Sequence, residues 1–418
     1  MDTVRQQLAD VENTPGLGLL CLLGAATGGL CGLVILALHT AIHTLQEPLF
    51  EIFGVASGTF TDSSIAFRVA VPVLGALLLG LLVEWVIKSS EYGIVHIIER
   101  LVYYQGVLPM KAALAEFTMS ALALATGQSV GREGVAAHTG ATTGSWLGRQ
   151  LGLPNNSVRT LVGCGAAAGI AASFNTPLAA VIFAMEVVMM EYTIAGFAPI
   201  ILAAVTGSLV TFTFTDVHPR LMADYSGFSP VELPYLALVG ALLGIAGASF
   251  TRLCGALVPL LGKVRISLRI ALAGLVTGLL AVQFPQIMGL GFETVNASLA
   301  GEYAIAIALG VGLAKLLATS FATAAAIPGG SSDSVRKPCA MVPPKGDSRF
   351  ARSTSTWIHW WSSVASAKPS TRCWSMVSQS LAPISRPTQP CSASMLSMTC
   401  TGDSCNRARG THGGQGAQ

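Results

Sequence analysis

Gln128 to Ala141, QSVGREGVAAHTGA, sets two opposite charges, Arg132 and Glu133, side by side in an intensely apolar region, with glycines at 131 and 134. A charge at the centre of a membrane helix costs roughly 2.5–3.5 kcal/mol on insertion scales, so such residues tend to line polar paths. Gly131 and Gly134 allow backbone to approach a ligand closely. The run Gly134 to Trp146 is rich in small residues and is expected to be helical, with Arg132 and Glu133 at its N-terminus. Free N–H groups and the positive end of the helix dipole favour an anion there. The stretch reads as an anion site with a carboxylate standing in it. On these residues alone a blander reading stays open: an acid at a helix N-terminus for ordinary dipole stabilisation.

The rest of the chain places this stretch in a membrane. Of 418 residues, 52% are hydrophobic and 11% charged, with a mean hydropathy of +0.62. Soluble domains carry about 25% charged residues. Long apolar runs without alternating strand patterns predict an all-α polytopic membrane protein. The net charge of +3 hides two different parts. Residues 331–418 hold ten Lys and Arg against three Asp and Glu, so the first 330 are net acidic. The basic balance therefore gives no support for nucleic-acid binding. Nine cysteines without CxxC spacing indicate neither a metal site nor a disulfide framework. The N-terminus lacks the basic region of a cleavable signal peptide.

Leu17 to Leu38 is uncharged and spans a bilayer. Its glycines at 18, 24, 28, 29 and 32 predict close helix packing. Residues 39–67 carry acids but no Lys or Arg before Phe67, and read as an outer loop. Ile65 to Ile87 is a second span, and 88–111, with Lys88, Arg100 and Lys111, reads as cytoplasmic. That puts the N-terminus inside. Ala112 to Thr126 is apolar but too short to cross fully, so the chain breaks at membrane depth ahead of Gly131, which is tolerated where backbone lines a cavity. Pro177 splits a long apolar run into helices at roughly 158–173 and 176–190. Thr193 to Thr215, Pro234 to Phe250, Ile270 to Phe284 and Tyr303 to Thr323 are further helices. Arg252, Lys263, Arg265 and Arg269 mark an inner connection.

GREGV at 131–135 and GCGAAAGIAASFNTPLAAVIFAMEVVM at 163–189 together resemble the CLC family of voltage-gated chloride channels and chloride/proton exchangers. The likeness covers about residues 17–330. It implies an inverted-repeat helical bundle with broken, re-entrant helices whose N-termini point at anions near the midplane. It also implies that Glu133 is a gating glutamate whose side chain occupies an anion site and swings away, with Gly131, Arg132, Gly134 and Val135 as filter positions. The family carries proline where Val135 stands, so the helix start is less fixed here. The chloride ion is then the transported ligand, the full-length form a homodimer in lipid, and the location a bacterial inner membrane.

Three departures from the family pattern bear on function. Its first filter motif, GSGIP, corresponds to the stretch ending Tyr92-Gly93-Ile94-Val95, which puts Tyr92 where the central-site serine stands. A tyrosine hydroxyl donates to an anion as well, though an interfacial tyrosine explains the residue equally. At the position of the exchangers' inner proton glutamate stands Val187, which carries no proton; Glu186 beside it is the possible substitute, or a helix-end acid. Ala325 to Gly330 leads toward the third filter motif but turns into SSDSVRKPCAMV instead. Residues 331–418 contain 18 serines, four of six tryptophans and five of nine cysteines. A translated frameshift gives such a change inside a motif, and a natural basic disordered tail is the alternative.

The expected organisation is therefore a cytoplasmic N-terminus (1–16), a first inverted repeat (17–215), an outer connecting loop (216–234), a partial, truncated second repeat (235–330) and an aberrant tail (331–418). The expected function is channel-like anion transport. A proton-coupled chloride or fluoride exchanger and a non-conducting fragment are the competing readings. No Ser/His/Asp constellation, P-loop or HExxH stands on a suitable element, so enzyme chemistry, a cofactor and a metal find no support. His138, near the site, reads as a packed core histidine.

Overall fold

The computed structural model describes residues 15–55, 59–86, 93–190, 194–215 and 232–329. The chain divides into two units, Met1–Met341 and Val342–Gln418, the second wholly outside the described residues. Also outside them lie Tyr92, the tail from 330, and most of the expected N-terminal segment and outer loop.

Among the described residues the protein is all-helical. In chain order the helices are α1 (Leu17–Ile52), α2 (Ile65–Val86), α3 (Ile94–Tyr103), α4 (Met110–Ala125), α5 (Glu133–Gln150) and α6 (Asn155–Phe174). Then come α7 (Pro177–Phe183), running into a π-helical turn at Ala184–Met189, α8 (Ile194–Phe214), α9 (Leu233–Leu261), α10 (Ile266–Gln283), α11 (Phe292–Leu299) and α12 (Ile305–Ala324). Seven of them are long and apolar enough to cross a membrane: α1, α2, α6, α8, α9, α10 and α12. The protein is an integral, multi-pass membrane protein.

Lengths separate crossing helices from re-entrant ones. At 1.5 Å per residue, α3 is about 15 Å long and α4 about 24 Å, both short of a hydrocarbon core of about 30 Å. Helix α1 continues fourteen residues past Leu38, through Pro48 to Ile52, where an outer loop was expected. No glycine or charge interrupts 38–46, and His39, Thr40, His43 and Thr44 tolerate an interface, so the helix runs on. Helix α9 likewise runs to Leu261, so Arg252 is helical rather than in a connection, and Arg269 lies within α10. The break at Pro177 is as expected: Asn175 closes α6 in the left-handed region (φ 55) and Pro177 opens α7.

Small residues set the packing. On α1, Gly24 faces the Pro199 carbonyl of α8, Gly28 faces Ala203 and Thr206, and Gly32 faces Val210. Gly18 and Gly29, on the other faces, meet nothing within 4 Å. On α5, Gly140 and Gly144 lie against the Gly165 and Leu161 carbonyls of α6, while Gly165 and Gly169 lie against the Gly140 and Ala136 carbonyls in return. Gly274 and Gly278 of α10 pack on Pro72 and Val69 of α2. Gly240, Gly244 and Gly247 of α9 meet nothing within 4 Å among the described residues.

The contrast makes a prediction. Gly165→Val would drive a branched side chain into the Gly140 carbonyl, and is expected to destabilise by at least about 1–3 kcal/mol. Gly244→Val, on the open face of α9, should leave the thermal midpoint of the detergent-solubilised protein near wild type. Equal midpoints for the two variants would contradict this packing.

Candidate functional site

Helix α5 begins at Glu133, with Arg132 as its N-cap and no side chain capping the first turn. The first N–H groups are therefore free for a ligand or for the chain's own carboxylate. The Glu133 side chain folds back over Gly131, so closely that any Cβ at 131 would overlap its carboxylate. A side chain at 131 would have to displace that carboxylate. Gly134 and Val135 are buried in the first turn.

Arg132 turns the other way. It is 5% exposed. Its Nη1 lies 2.6 Å from His39 Nε2 of α1 and its Nη2 donates to the Ser173 carbonyl at the end of α6. A guanidinium only donates, so His39 Nε2 accepts. A cation at the C-terminal carbonyls of α6 also complements that helix dipole. The guanidinium lies near the rings of Phe174 (5.0 Å) and Phe292 (5.4 Å), while its Nε has no partner.

The adjacent charges thus face different cavities. Glu133 lines one of about 270 Å³ with Gly131, Phe174, Phe250, Lys315 and Ile327. Arg132 lines one of about 410 Å³ with His39, His43, Glu47, Gln286 and Glu293. Lys315, on α12, donates to the Ile287 and Gly289 carbonyls at 2.7 and 2.5 Å. It puts a positive charge in the wall of the Glu133 cavity. Ser129 and Thr319 hydroxyls, 3.0 Å apart, tie the approach to α5 to α12. Gly329 (φ 126) ends the described chain where a Cβ would lie 2.8 Å from the Gly131 carbonyl. The stretch expected to lead into a third filter motif therefore meets the GREGV stretch.

Other expected site residues fall elsewhere. Gly93 (φ 89) is the N-cap of α3, and Ile94 and Val95, half-buried, open that helix. None of the three is among the residues lining the Glu133 cavity. The Gly93 N–H instead donates to Glu116 Oε2 of α4 at 3.2 Å, so a second carboxylate stands at a second helix start. Glu186 is exposed and Val187 half-buried, both in the π-helical turn. His138 is fully buried but is no inert packing residue: its Nε2 lies 2.9 Å from His96 Nδ1. Lys315, His39 and Glu116 were missed. A lone acid or base within an apolar run is the signal that marks all three.

Residues 75–331 match the family described as Voltage gated chloride channel. A ClcB-like protein of Ralstonia nicotianae is 34% identical over 243 residues, 56% of this chain and 56% of that protein. The Voltage-gated ClC-type chloride channel ClcB of Escherichia coli is 29% identical over 272 residues, 63% of this chain and 64% of that one. The chain thus spans a little over half the length of these relatives. The fold is similar to that of a CLC-type fluoride/proton antiporter, with TM-score 0.62 and 24% identity, covering 78% of this chain and 83% of that one. It is also similar to a slow cyanobacterial Cl−/H+ antiporter, with TM-score 0.63 and 18% identity, covering 83% of this chain and 81% of that one.

The overlap of Gly131 with Glu133 is testable on its own. Gly131→Ala should force the carboxylate out of its folded-back position. Carbodiimide labelling of Glu133, read by mass spectrometry, is expected to rise relative to wild type; unchanged labelling would mean that the side chain does not rest over Gly131.

Proposed function

Since the chain belongs to the Voltage gated chloride channel family, we propose that it passes small inorganic anions, chloride first, with the Glu133 carboxylate as the movable gate. The observation that carries this is the folded-back carboxylate at an uncapped helix start, beside a cavity whose wall holds the half-buried Lys315 ammonium. When the carboxylate leaves, the free N–H groups and Lys315 present positive potential to an anion. Phe174, Phe250 and Phe292 narrow the same cavity with apolar surface. The expected setting is a homodimer in the inner membrane of a bacterium, N-terminus inside.

We read the transport as channel-like, because Val187 offers no proton-binding group and the exposed Glu186 is not among the residues lining the described cavities. The second reading, a proton-coupled chloride or fluoride exchanger, is favoured by the structural neighbours, which are described as antiporters. The third concerns the chain as written. The family match ends at residue 331, where the composition changes, so the 418-residue form is expected to conduct weakly beside a form with the reading frame restored after Gly330.

Three measurements separate these. In vesicles, Glu133→Gln, which mimics the protonated acid, should change chloride efflux and flatten its pH dependence; an unchanged profile removes Glu133 from the gate. An imposed chloride gradient should not drive protons uphill, and stoichiometric proton movement would establish the exchanger. Efflux from the 418-residue form equal to that of the frame-restored form would show residues 331–418 to be a working part.

A further inference from the structure

Arg100, His96, His138 and Glu116 form a continuous chain of polar groups that the anion reading does not use. They come from three helices: His96 and Arg100 from α3, Glu116 from α4 and His138 from α5. Glu116 and His138 are fully buried and His96 is 3% exposed, while half-buried Arg100 lies 4.3 Å from the centre of the exposed Tyr104 ring. The chain therefore runs from the molecular surface to the start of α3.

Its donors and acceptors fix a direction. Arg100 Nε donates to His96 Nε2 at 3.1 Å, and a guanidinium cannot accept. His96 thus holds its proton on Nδ1, 2.9 Å from His138 Nε2, which must accept it. His138 then holds its own proton on Nδ1, 2.5 Å from Glu116 Oε2. That last contact has the distance of an ion pair but not the alignment of a hydrogen bond. The Gly93 N–H donates to the same oxygen, and Glu116 Oε1 is buried without a partner. Both imidazole protons therefore sit on the nitrogen nearer Glu116. A buried carboxylate with one unpaired oxygen costs stability that an apolar residue of similar size would not.

We propose that His96 and His138 are a proton relay that loads Glu116. When Arg100 withdraws, a proton from water bonds to His96 Nε2. The His96 Nδ1–H bond breaks and its proton passes to His138 Nε2; the His138 Nδ1–H bond breaks and its proton passes to the Glu116 carboxylate. One proton enters, one carboxylate is neutralised, and each imidazole ends neutral in its other tautomer. The neutral acid holds the Gly93 N–H less strongly and frees the start of α3 for an anion. That consequence rests on the anion reading above, whereas the relay does not.

Other ionisable groups surround the relay. Glu99 shares α3, Lys111 shares α4, and Arg132, Glu133 and Arg149 share α5 with His138. On neighbouring elements stand Arg159 and Cys164 of α6, Glu186 of the π-helical turn against α3, and Cys31 of α1, whose Sγ lies 3.6 Å from the Gly140 carbonyl. The experiment must therefore isolate Glu116.

Infrared difference spectra of the full 418-residue chain in lipid nanodiscs, recorded after a rapid pH drop, do so. Wild type should develop a protonated-carboxyl C=O band that is absent in Glu116→Gln. Its rise should slow about 100-fold in His138→Gln and in His96→Gln, as for loss of a positioned proton-transfer group. Arg100→Gln, which uncovers His96 Nε2, should quicken it, a response that a purely structural histidine pair would not give. A band rising at the wild-type rate in whichever histidine variant folds would overturn the relay. So would the absence of any Glu116-dependent band down to the pH of unfolding. Chloride flux of the form with the reading frame restored after Gly330, measured alongside, keeps the two readings apart: that form without flux, together with the band and its kinetics, refutes the anion reading alone.

Discussion

The contact between α5 and α6, which brings backbone against backbone at four glycines, decides where everything else can stand. Gly140 and Gly165 lie against each other's carbonyls, Gly144 against that of Leu161, and Gly169 against that of Ala136. Inside a bilayer apolar burial does not favour one helix contact over another, so packing of small residues and the loss of few rotamers drive association. Two helices that touch through backbone have little room to slide. Their fixed register puts the C-terminal carbonyl of Ser173 within reach of Arg132 and leaves the first turn of α5 at the cavity shared with α12. The α1–α8 contact repeats the device at Gly24, Gly28 and Gly32. By contrast, Gly240, Gly244 and Gly247 of α9 meet nothing within 4 Å among the described residues, and that helix reaches the site only through Phe250 in the cavity wall.

Buried charge is handled in three ways. Arg132 is answered by a histidine nitrogen and a helix-end carbonyl, and Lys315 by two turn carbonyls. Both cations are thus held by neutral dipoles rather than by a carboxylate, which fixes them without neutralising them. Glu116 is answered by one backbone N–H and one histidine. Glu133 differs from all of these: it is exposed to a cavity, and no described hydrogen bond anchors it. Moving it costs little desolvation, whereas moving Arg132 would strand a buried charge, a loss of several kcal/mol. That asymmetry is why the proposed gate is the glutamate and not its cationic neighbour.

Much of the fold was legible because its signals are local. Apolar length marks the spans, Asn175-Thr176-Pro177 marks the break after α6, and the glycine-alanine run of 163–169 marks the tightest packing. Helix ends were less legible. Polar but uncharged residues after Leu38 do not stop α1, since threonine and histidine lower helix propensity by only a few tenths of a kcal/mol. The partners of Gly274 and Gly278 come from α2, far away in sequence, where no local signal announces them. At the site, adjacency of Arg132 and Glu133 suggested one shared environment. Successive residues at a helix start point about 100° apart, which is how the two come to line different cavities. Glu116, His96 and His138 were overlooked as a group because their spacing of 20 and 22 residues in sequence has no period; only the packing of α3, α4 and α5 joins them.

The two carboxylates at helix starts share one logic. Each stands where positive dipole and free N–H groups would hold an anion: Glu133 at α5 and Glu116 at α3. An anion bound at either start competes with the carboxylate, and protonation of that carboxylate removes the competitor. Binding linkage is reciprocal, so an anion that displaces a carboxylate must favour its protonation by the same factor by which the proton favours the anion. Val187 removes one proton-binding position, but this coupling does not need residue 187. It needs only a route for the proton and a helix start for the anion, and at α3 the hydrogen-bonded histidines bring the first to the second. Channel-like passage through the Glu133 cavity and pH-dependent occupancy at α3 are therefore compatible in one chain. The distinction between channel and exchanger then turns on whether the two helix starts fill independently or exclude one another.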